Sequence, residues 1–489
     1  MLFNSLEFIL FFPTVVCLYY LCPHRFRWAL LLAASYFFYM SWRAEYIFLI
    51  IASTVLDYTV ALRLERSESP RNRKAWLGLS LSGNLGLLFF FKYFNFFNDS
   101  VATTFEALGM SYAIPAANVL LPVGISFYTF QTLSYTIEVY RGNKKAERHI
   151  GKFALYVAFF PQLVAGPIER ATALLPQFFE RKDFEYTRVT DGMKLMVWGF
   201  FKKVVIADRL ATMVDPVYND LSAHSGPAIA LATVFFAYQI YCDFSGYSDI
   251  AIGAAQVLGF KLMTNFRQPY FSRSIPEFWR RWHISLSTWF RDYVYIPLGG
   301  NRVSLFRLYV NVAIVFVVSG LWHGANWTFL AWGGLHALYM VVSLSTATTR
   351  SRIISAVKFD RVPFVHSAAQ WAITFTLVCI AWIFFRAQSI EDAFAALTTL
   401  PAGWERGAFA ILDGNVQIGT TNIPSTELLI ALIAIGVLEA AHLLQRWGSI
   451  RERINRQWLP IRWFIYSLSF WALFLFGTYE ETEFIYFAF

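Results

Sequence analysis

Apolar runs long enough to cross a bilayer recur along the chain, separated by short polar loops. Candidate spans begin at Leu6–Leu21, Trp28–Trp42, Tyr46–Leu62 and Trp76–Phe97. They continue at Val119–Tyr140, Phe153–Ala165, Met193–Met213 and Ala228–Gly259. Further spans follow at Leu308–Trp322, Trp327–Leu344, Phe364–Phe385, Glu427–Leu444 and Trp463–Gly477. A helix needs about 20 apolar residues to traverse the hydrocarbon core, so the pattern predicts an all-α polytopic membrane protein with about 11–13 crossings. The Pro/Gly-interrupted piece "FFPQLVAGP" (159–167) reads as re-entrant, since broken helix survives at membrane depth only where protein buries it or a wet cavity meets it. The polar interval 387–424 reads as a short amphipathic or loop element on the outer face. No internal repeat or soluble domain stands out. The expectation is one integral-membrane domain, 1–489, with its core motifs in 119–345 and C-terminal spans in 364–489.

Composition agrees: 57% of the 489 residues are hydrophobic, with 50 Phe, 25 Tyr and 17 Trp. The formal net charge of +9 does not point to nucleic acid here, because the basic residues lie in loops, where they set orientation and meet anionic lipid headgroups. "HRFR" (24–27), "RLERSESPRNRK" (63–74) and "RGNKKAER" (141–148) are basic, whereas 98–118 holds no Lys or Arg. The positive-inside rule then puts the basic loops, with "TTRSRIISAVKFDR" and "RWGSIRERINRQWLPIR", in the cytoplasm. The N-terminus and the acidic tail "YEETEFIYFAF" are expected outside. No basic n-region precedes the first apolar run, which reads as a membrane helix rather than a cleaved leader. Cys17, Cys22, Cys242 and Cys379 show no metal or disulfide spacing and read as small buried hydrophobes.

Against this background, "PEFWRRWHISLSTWFRDYVYIPLGGNR" (276–302) is unusually charged. Ser274 and Glu277 have capping-box spacing, Pro276 suits a first turn, and Pro297 with Gly299-Gly300 ends the element. At helical periodicity Phe278, Trp282, Trp289 and Tyr293 share one face, and Arg280, His283, Ser287 and Arg291 the opposite one. Such a helix either lies in the headgroup layer as an anchor or lines a site. Arg302, after a flexible glycine pair, is placed to meet an anionic donor or a lipid phosphate.

In "VFVVSGLWHGANWTF" (315–329), His323 follows an uninterrupted apolar helix between Gly320 and Gly324. An ionisable group at that depth usually faces a cavity or polar partner, and imidazole suits a general base near neutral pH. The glycines let either a substrate chain or a second helix approach closely. His336 has less support, and His24, His149, His224, His366 and His442, near loops or span ends, are expected to do no chemistry. Asp243 and Asp249, six apart in "YCDFSGYSD", do not share a helical face. They are expected to pair with arginine or orient an imidazole. GxSxG, P-loop, HExxH and GxGxxG motifs are absent, so hydrolase, nucleotide-motor and zincin readings, and a metal site, lose their usual support.

"YCDFSGYSDIAIG", "NFRQPYFSRSIPEFWRRWHISLSTWFRDYVYIPLGGNR" and "SGLWHGANWTFLAWGGLHA" resemble the membrane-bound O-acyltransferase superfamily (MBOAT), in particular its bacterial alginate and polysaccharide O-acetylase branch. "MLFNSLEFILFFP", "LLPVGISFYTFQTLSYTIEVYRG" and "FIYFAF" are similar too, so the resemblance spans nearly the whole chain. It implies a ring of membrane helices around a thinned central tunnel, with His323 as the catalytic histidine and His283 as the second characteristic polar position. It further implies acetyl-CoA as a donor bound from the cytoplasm, with no bound cofactor or metal. Arg280, Arg281, Ser287, Arg291, Arg302, Trp322, Asn326 and Asp243 are the candidate donor-binding residues. The implied acceptor is an exported polysaccharide or cell-wall glycan, the implied partner a separate periplasmic SGNH-type acetyltransferase, and the implied location the bacterial inner membrane. Cys242 stands where relatives usually carry an aromatic and Ala488 where many carry glutamine. The teichoic-acid D-alanylation group departs from the "RDYVYIPLGGNR" form, which favours acetyl over D-alanyl. A lipid or protein O-acyltransferase of the same superfamily, or a transporter, is the remaining alternative, although a transporter commonly carries an inverted repeat.

Overall fold

The computed structural model describes residues 1–358, 361–404, 410–412, 415–418, 421–479 and 484–485, and these are overwhelmingly helical. Ala488 and most of the acidic tail lie outside the described residues. Eight helical runs are long and apolar enough to cross a bilayer: Ala44–Arg66, Pro70–Ala107, Gly226–Val257, Leu305–His323, Trp327–Ser345, Pro363–Arg386, Ser425–Gln445 and Leu459–Phe476. Leu6–Leu21 is apolar but shorter. The all-α polytopic class holds, while the long spans among the described residues number eight. The difference has local causes. The run at 119–140 starts its helix only at Ile125, that at 153–165 breaks at Phe159, and that at 193–213 passes through a π-helical stretch, Phe201–Ala207, with Lys202 and Lys203 buried in it.

The chain forms two compact units. The first comprises Met1–Met196 and Ser248–Met263. It begins with α1 (Leu6–Leu21), α2 (His24–Met40), α3 (Ile47–Arg66) and α4 (Pro70–Leu88). A π-helical turn, Phe89–Tyr93, joins α4 to α5 (Phe94–Ala107), and α6 (Ile125–Arg141), α7 (Ile150–Ala158), α8 (Phe160–Leu163) and most of α9 (Tyr186–Phe200) follow. Where α3, α4 and α6 pack, the buried carboxylate of Asp57 accepts hydrogen bonds from the hydroxyls of Ser80 and Thr136 (3.0 Å for Thr136) and from Asn84 Nδ2 at 2.9 Å. The Ser53 hydroxyl in turn donates to Asn84 Oδ1 at 2.5 Å.

The break at Phe159 is stitched by side chains, because a buried backbone group left without a partner is costly. The Phe160 N–H donates to Ser35 Oγ at 3.0 Å, and the carbonyl of Tyr156 accepts from Gln131 Nε2 and Gln162 Nε2 at 2.5 and 2.9 Å. The interrupted run at 159–167 is thus buried by protein, as broken helix requires.

The second unit comprises Val197–Tyr247 and Thr264–Phe489. Its helices are α10 (Asp208–Asn219), most of α11 (Gly226–Val257), the short pair α12 (Ile275–Arg281) and α13 (Ile284–Phe290), α14 (Leu305–His323) and α15 (Trp327–Ser345). Then come α16 (Ala347–Ala356), α17 (Pro363–Arg386), α18 (Ile390–Thr399), α19 (Ser425–Gln445), α20 (Ile450–Asn455) and α21 (Leu459–Phe476). The interval 387–424 contains α18, as an amphipathic element was expected there. It also holds a small antiparallel sheet that hydropathy did not reveal: β1 (Ala410–Leu412), β2 (Asn415–Ile418) and β3 (Thr421–Pro424), with Ala410 opposite Gln417 and Asn415 opposite Pro424. No residue of α21 is buried, which suits a helix facing lipid.

α14 and α15 form the tightest helix pair. A Cβ on Gly320 would stand 2.2 Å from the carbonyl oxygen of Phe329, and one on Gly333 would stand 2.4 Å from that of Phe316. The small residues flanking His323 therefore serve the approach of a second helix, one of the two uses the sequence left open. Cys242 and Cys379 are buried as expected, whereas Cys17 is exposed on α1.

Candidate active site

The stretch Pro276–Ile296 does not form the continuous two-faced helix that its periodicity predicts. The N-cap half of the capping box is present, with Ser274 Oγ accepting from the Glu277 N–H at 3.3 Å, while the Glu277 carboxylate accepts the N–H of Arg273 at 2.8 Å, and Pro276 sits in the first turn. But α12 stops at Trp282, which is extended (φ −98°, ψ 131°), and His283 takes the left-handed conformation (φ 43°, ψ 55°) before α13 begins. For a residue with a Cβ that conformation costs on the order of 1–3 kcal/mol and persists only where neighbours enforce it. A helical wheel drawn across the break is invalid, and Trp282 and His283, assigned to opposite faces, are both buried.

Asn265 enforces the break. Its Oδ1 accepts from His283 Nδ1 at 3.2 Å and from the Ser285 N–H and hydroxyl at 3.2 and 3.0 Å, while its carbonyl accepts the Ile284 N–H at 2.9 Å. Because an amide oxygen can only accept, the bond fixes the tautomer with the proton on Nδ1, and Nε2 keeps its lone pair. The ring is wholly buried, with Phe244 edge-on at 4.6 Å, and burial pushes its pKa down to about 3. His283 is therefore neutral at physiological pH.

His323 ends α14 and is 2% exposed. Its ring centroid lies 4.9 Å from Trp332, 5.1 Å from Trp322, 5.4 Å from Phe385 and 6.4 Å from His283. Trp382 stacks on Trp332 at 6.0 Å, and the ring of Phe329 closes so near that a Cβ on Gly324 would meet it at 2.1 Å. Two imidazoles are thus buried among aromatic rings, their centroids 6.4 Å apart, where charge and dipole interactions are stronger than in solvent. Such a pair can exchange a proton with a hydroxyl. His336 is also wholly buried, and its Nδ1 accepts from Trp279 Nε1 at 3.3 Å.

The other candidates divide. Trp322 joins the enclosure, 6.0 Å from His283. Ser287 donates to the Trp282 carbonyl at 3.3 Å and so belongs to the helix break. Arg281 pairs with Glu277 at 2.6 Å, exposed Arg291 with its neighbour Asp292 at 2.8 Å, and Arg280 and Arg302 are exposed. Asn326 caps α15 through the Thr328 N–H (3.0 Å) and donates to the Gln388 carbonyl at 3.1 Å. Asp243 pairs with Lys203 at 2.6 Å, not with an arginine; Lys203 also meets Asp208 at 2.9 Å. The second oxygen of Asp243 accepts the Ile485 N–H at 2.8 Å, and Phe484 packs on Phe244 and Tyr247 at 5.8 and 4.9 Å. Among the described residues no group of three or more His, Cys, Asp or Glu is placed to hold a metal ion.

Sequence reasoning missed Asn265 and Lys203. Lys203 carried a signal, two lysines inside the apolar run "FKKVVIA", which at burial require carboxylate partners. Asn265 carried none, since its role follows from a backbone break that periodicity cannot display.

Comparison with known proteins adds a family. Residues 147–386 match the model of the membrane-bound O-acyltransferase family. A probable alginate O-acetylase from Pseudomonas aeruginosa is 43% identical, over 93% of this chain and 83% of its own length. A peptidoglycan O-acetyltransferase from Helicobacter pylori is 37% identical over 75% of this chain and 72% of its own. A teichoic acid D-alanyltransferase from Streptococcus thermophilus is 32% identical over 45% of this chain and 56% of its own.

Proposed function

The chain belongs to the membrane-bound O-acyltransferase family and is a multi-pass O-acyltransferase, and from that premise we propose that it transfers acetyl from cytoplasmic acetyl-CoA toward an exported polysaccharide. In this reading His323 is the general base. It takes the proton of the acceptor hydroxyl as the new acyl–oxygen bond forms and the acyl–sulfur bond breaks, then returns it to the departing thiolate. His283, neutral and held by Asn265, presents Nε2 as an acceptor and orients the reacting groups beside His323. Arg280, Arg291 and Arg302, exposed and basic, meet the donor's phosphates. The chain sits in the bacterial inner membrane with its N-terminus in the periplasm, and a separate periplasmic SGNH-type acetyltransferase completes the transfer to the glycan.

The observation that carries this reading is the pairing of His283 and His323, rings 6.4 Å apart, within a buried aromatic enclosure. Acetyl is preferred over D-alanyl because the two O-acetyl-transferring relatives align over most of the chain and the D-alanyltransferase over less than half. The test is labelled acetyl-CoA supplied to the purified chain in lipid. Thiol release and label transfer are expected, and His323→Ala should reduce them by about 10²–10⁴-fold with an unchanged melt. Full activity in a normally expressed His323→Ala protein removes His323 from the mechanism, and no consumption by the wild type removes the donor.

A further inference from the structure

His442, on α19, contacts the Glu439 carboxylate through Nδ1 at 3.5 Å and the Tyr241 hydroxyl through Nε2 at 3.1 Å. The histidine and tyrosine are buried, while the Glu439 side chain is 25% exposed. A carboxylate on Nδ1 selects the tautomer with its proton there and leaves Nε2 to accept from the phenol. From its position near a span end this histidine was expected to do no chemistry, yet its two ring nitrogens join a carboxylate to a hydroxyl.

Both attachments of His442 lead to the residues that hold His283. Tyr241 lies on α11 just ahead of Phe244, the residue edge-on to His283 at 4.6 Å. The Tyr241 ring also packs on Phe266 at 5.9 Å and Trp282 at 6.2 Å, the immediate sequence neighbours of Asn265 and His283. The backbone carbonyl of His442 accepts from Gln268 Nε2 at 2.9 Å, and the same nitrogen reaches Gln445 Oε1 at 3.1 Å. Gln268 is itself left-handed (φ 49°), three residues beyond Asn265. The last turns of α19 thus grip α11 with one group and the Asn265–Gln268 segment with another.

We infer that Tyr241, His442 and Glu439 form a positioning triad that seats His283 for acyl transfer. The inference rests on the reading that transfer occurs at His283 and His323. With the bond made, Nε2 accepts the phenol hydrogen and ties Tyr241 to α19; with it lost, the Tyr241 ring is free to turn. The other titratable or charged groups facing the triad are Tyr238, which bonds Glu439, and Cys242 beside Tyr241. Lys202 Nζ lies 6.0 Å from the Tyr241 ring, and Arg446 stacks on Phe271, itself 6.2 Å from His442.

The test measures kcat and KM of acetyl transfer for wild type, Tyr241→Phe, His442→Ala, His442→Gln and the Tyr241→Phe/His442→Ala double variant. Tyr241→Phe and His442→Ala should each lower kcat by roughly ten- to a hundredfold at unchanged KM for the donor, with the double variant no lower than the singles. His442→Gln, whose amide oxygen accepts the phenol proton, should recover most of the rate. Wild-type kcat in Tyr241→Phe, or losses that multiply in the double variant, overturn the triad. Maleimide labelling of buried Cys242 reads the same turn without catalysis: faster labelling in Tyr241→Phe supports the triad, and an unchanged rate counts against it. Should wild type consume no acetyl-CoA, the donor assignment fails, and the labelling still decides the triad.

Discussion

Asp57 in the first unit and His283 in the second are both wholly buried polar side chains, held by opposite means. Asp57 rides on the regular helix α3 and is surrounded by donors: two hydroxyls and an amide from α4 and α6 converge on its two oxygens. His283 stands at a helix break in a left-handed conformation, oriented by the amide oxygen of Asn265 and packed edge-on by Phe244. Hydrogen bonds from several helices around an unstrained residue make a structural tie. Strain accepted to present an imidazole beside a second one, at 6.4 Å, fits a site whose geometry matters more than its stability. Mutations in the first should therefore be read in stability, and those in the second in rate.

The sharpest way to break that contrast is Asp57→Ala. It leaves the buried donors of Ser80, Thr136 and Asn84 facing a void, each costing about 1–3 kcal/mol, so a loss on the order of 3–5 kcal/mol is expected. Denaturation in detergent should record it, while kcat per folded molecule stays near wild type. A fall in kcat without loss of stability would place Asp57 in the catalytic machinery and dissolve the contrast.

Glu169 sharpens the comparison within the first unit. Its carboxylate is as buried as that of Asp57 but has the backbone N–H of Met263 where Asp57 has three side-chain donors. Burial dominates over that bond and over nearby Arg170, and its pKa rises from 4.5 to about 7. The folded state then holds a proton that the unfolded chain releases, so stability is greatest below about pH 4.5 and declines as pH rises toward about 7. The full decline is worth about 3 kcal/mol. Melting at acid and at mildly alkaline pH should show this for wild type and not for Glu169→Gln; a parallel decline in both proteins would refer it to other groups.

The contrast also explains what the sequence could disclose. Long apolar runs such as 364–385 and 427–444 became helices within a few residues of their expected ends, because hydropathy reports the length that lipid demands. His323 was legible as an ionisable group closing an apolar helix. The seat of His283 was not: periodicity assumes an unbroken helix, and the break depends on Asn265, distant in sequence and unremarkable in composition. The lysine–aspartate cluster of Lys203, Asp208 and Asp243 was half legible, since buried charges announce that partners exist without naming them.

The smallest predicted effect bears on that hidden seat. Asn265→Ala removes the acceptor for His283 Nδ1 and for both donors of Ser285, while the Ile284 N–H keeps its bond to the backbone carbonyl of residue 265. The break should therefore survive, with the imidazole free to rotate or change tautomer. A misplacement well under 1 Å is enough to lower kcat, here by about tenfold, with KM for the donor and the melting temperature nearly unchanged. Asn265→Asp keeps an acceptor toward Nδ1 and adds negative charge beside the ring, which raises the pKa of His283. If the imidazole must be neutral to act, the Asp variant should retain activity at alkaline pH and lose it toward acid, a dependence absent from the Ala variant. An Ala variant that loses stability rather than rate would make Asn265 a tie of the Asp57 kind, and the division between the two buried centres would no longer follow from how each side chain is held.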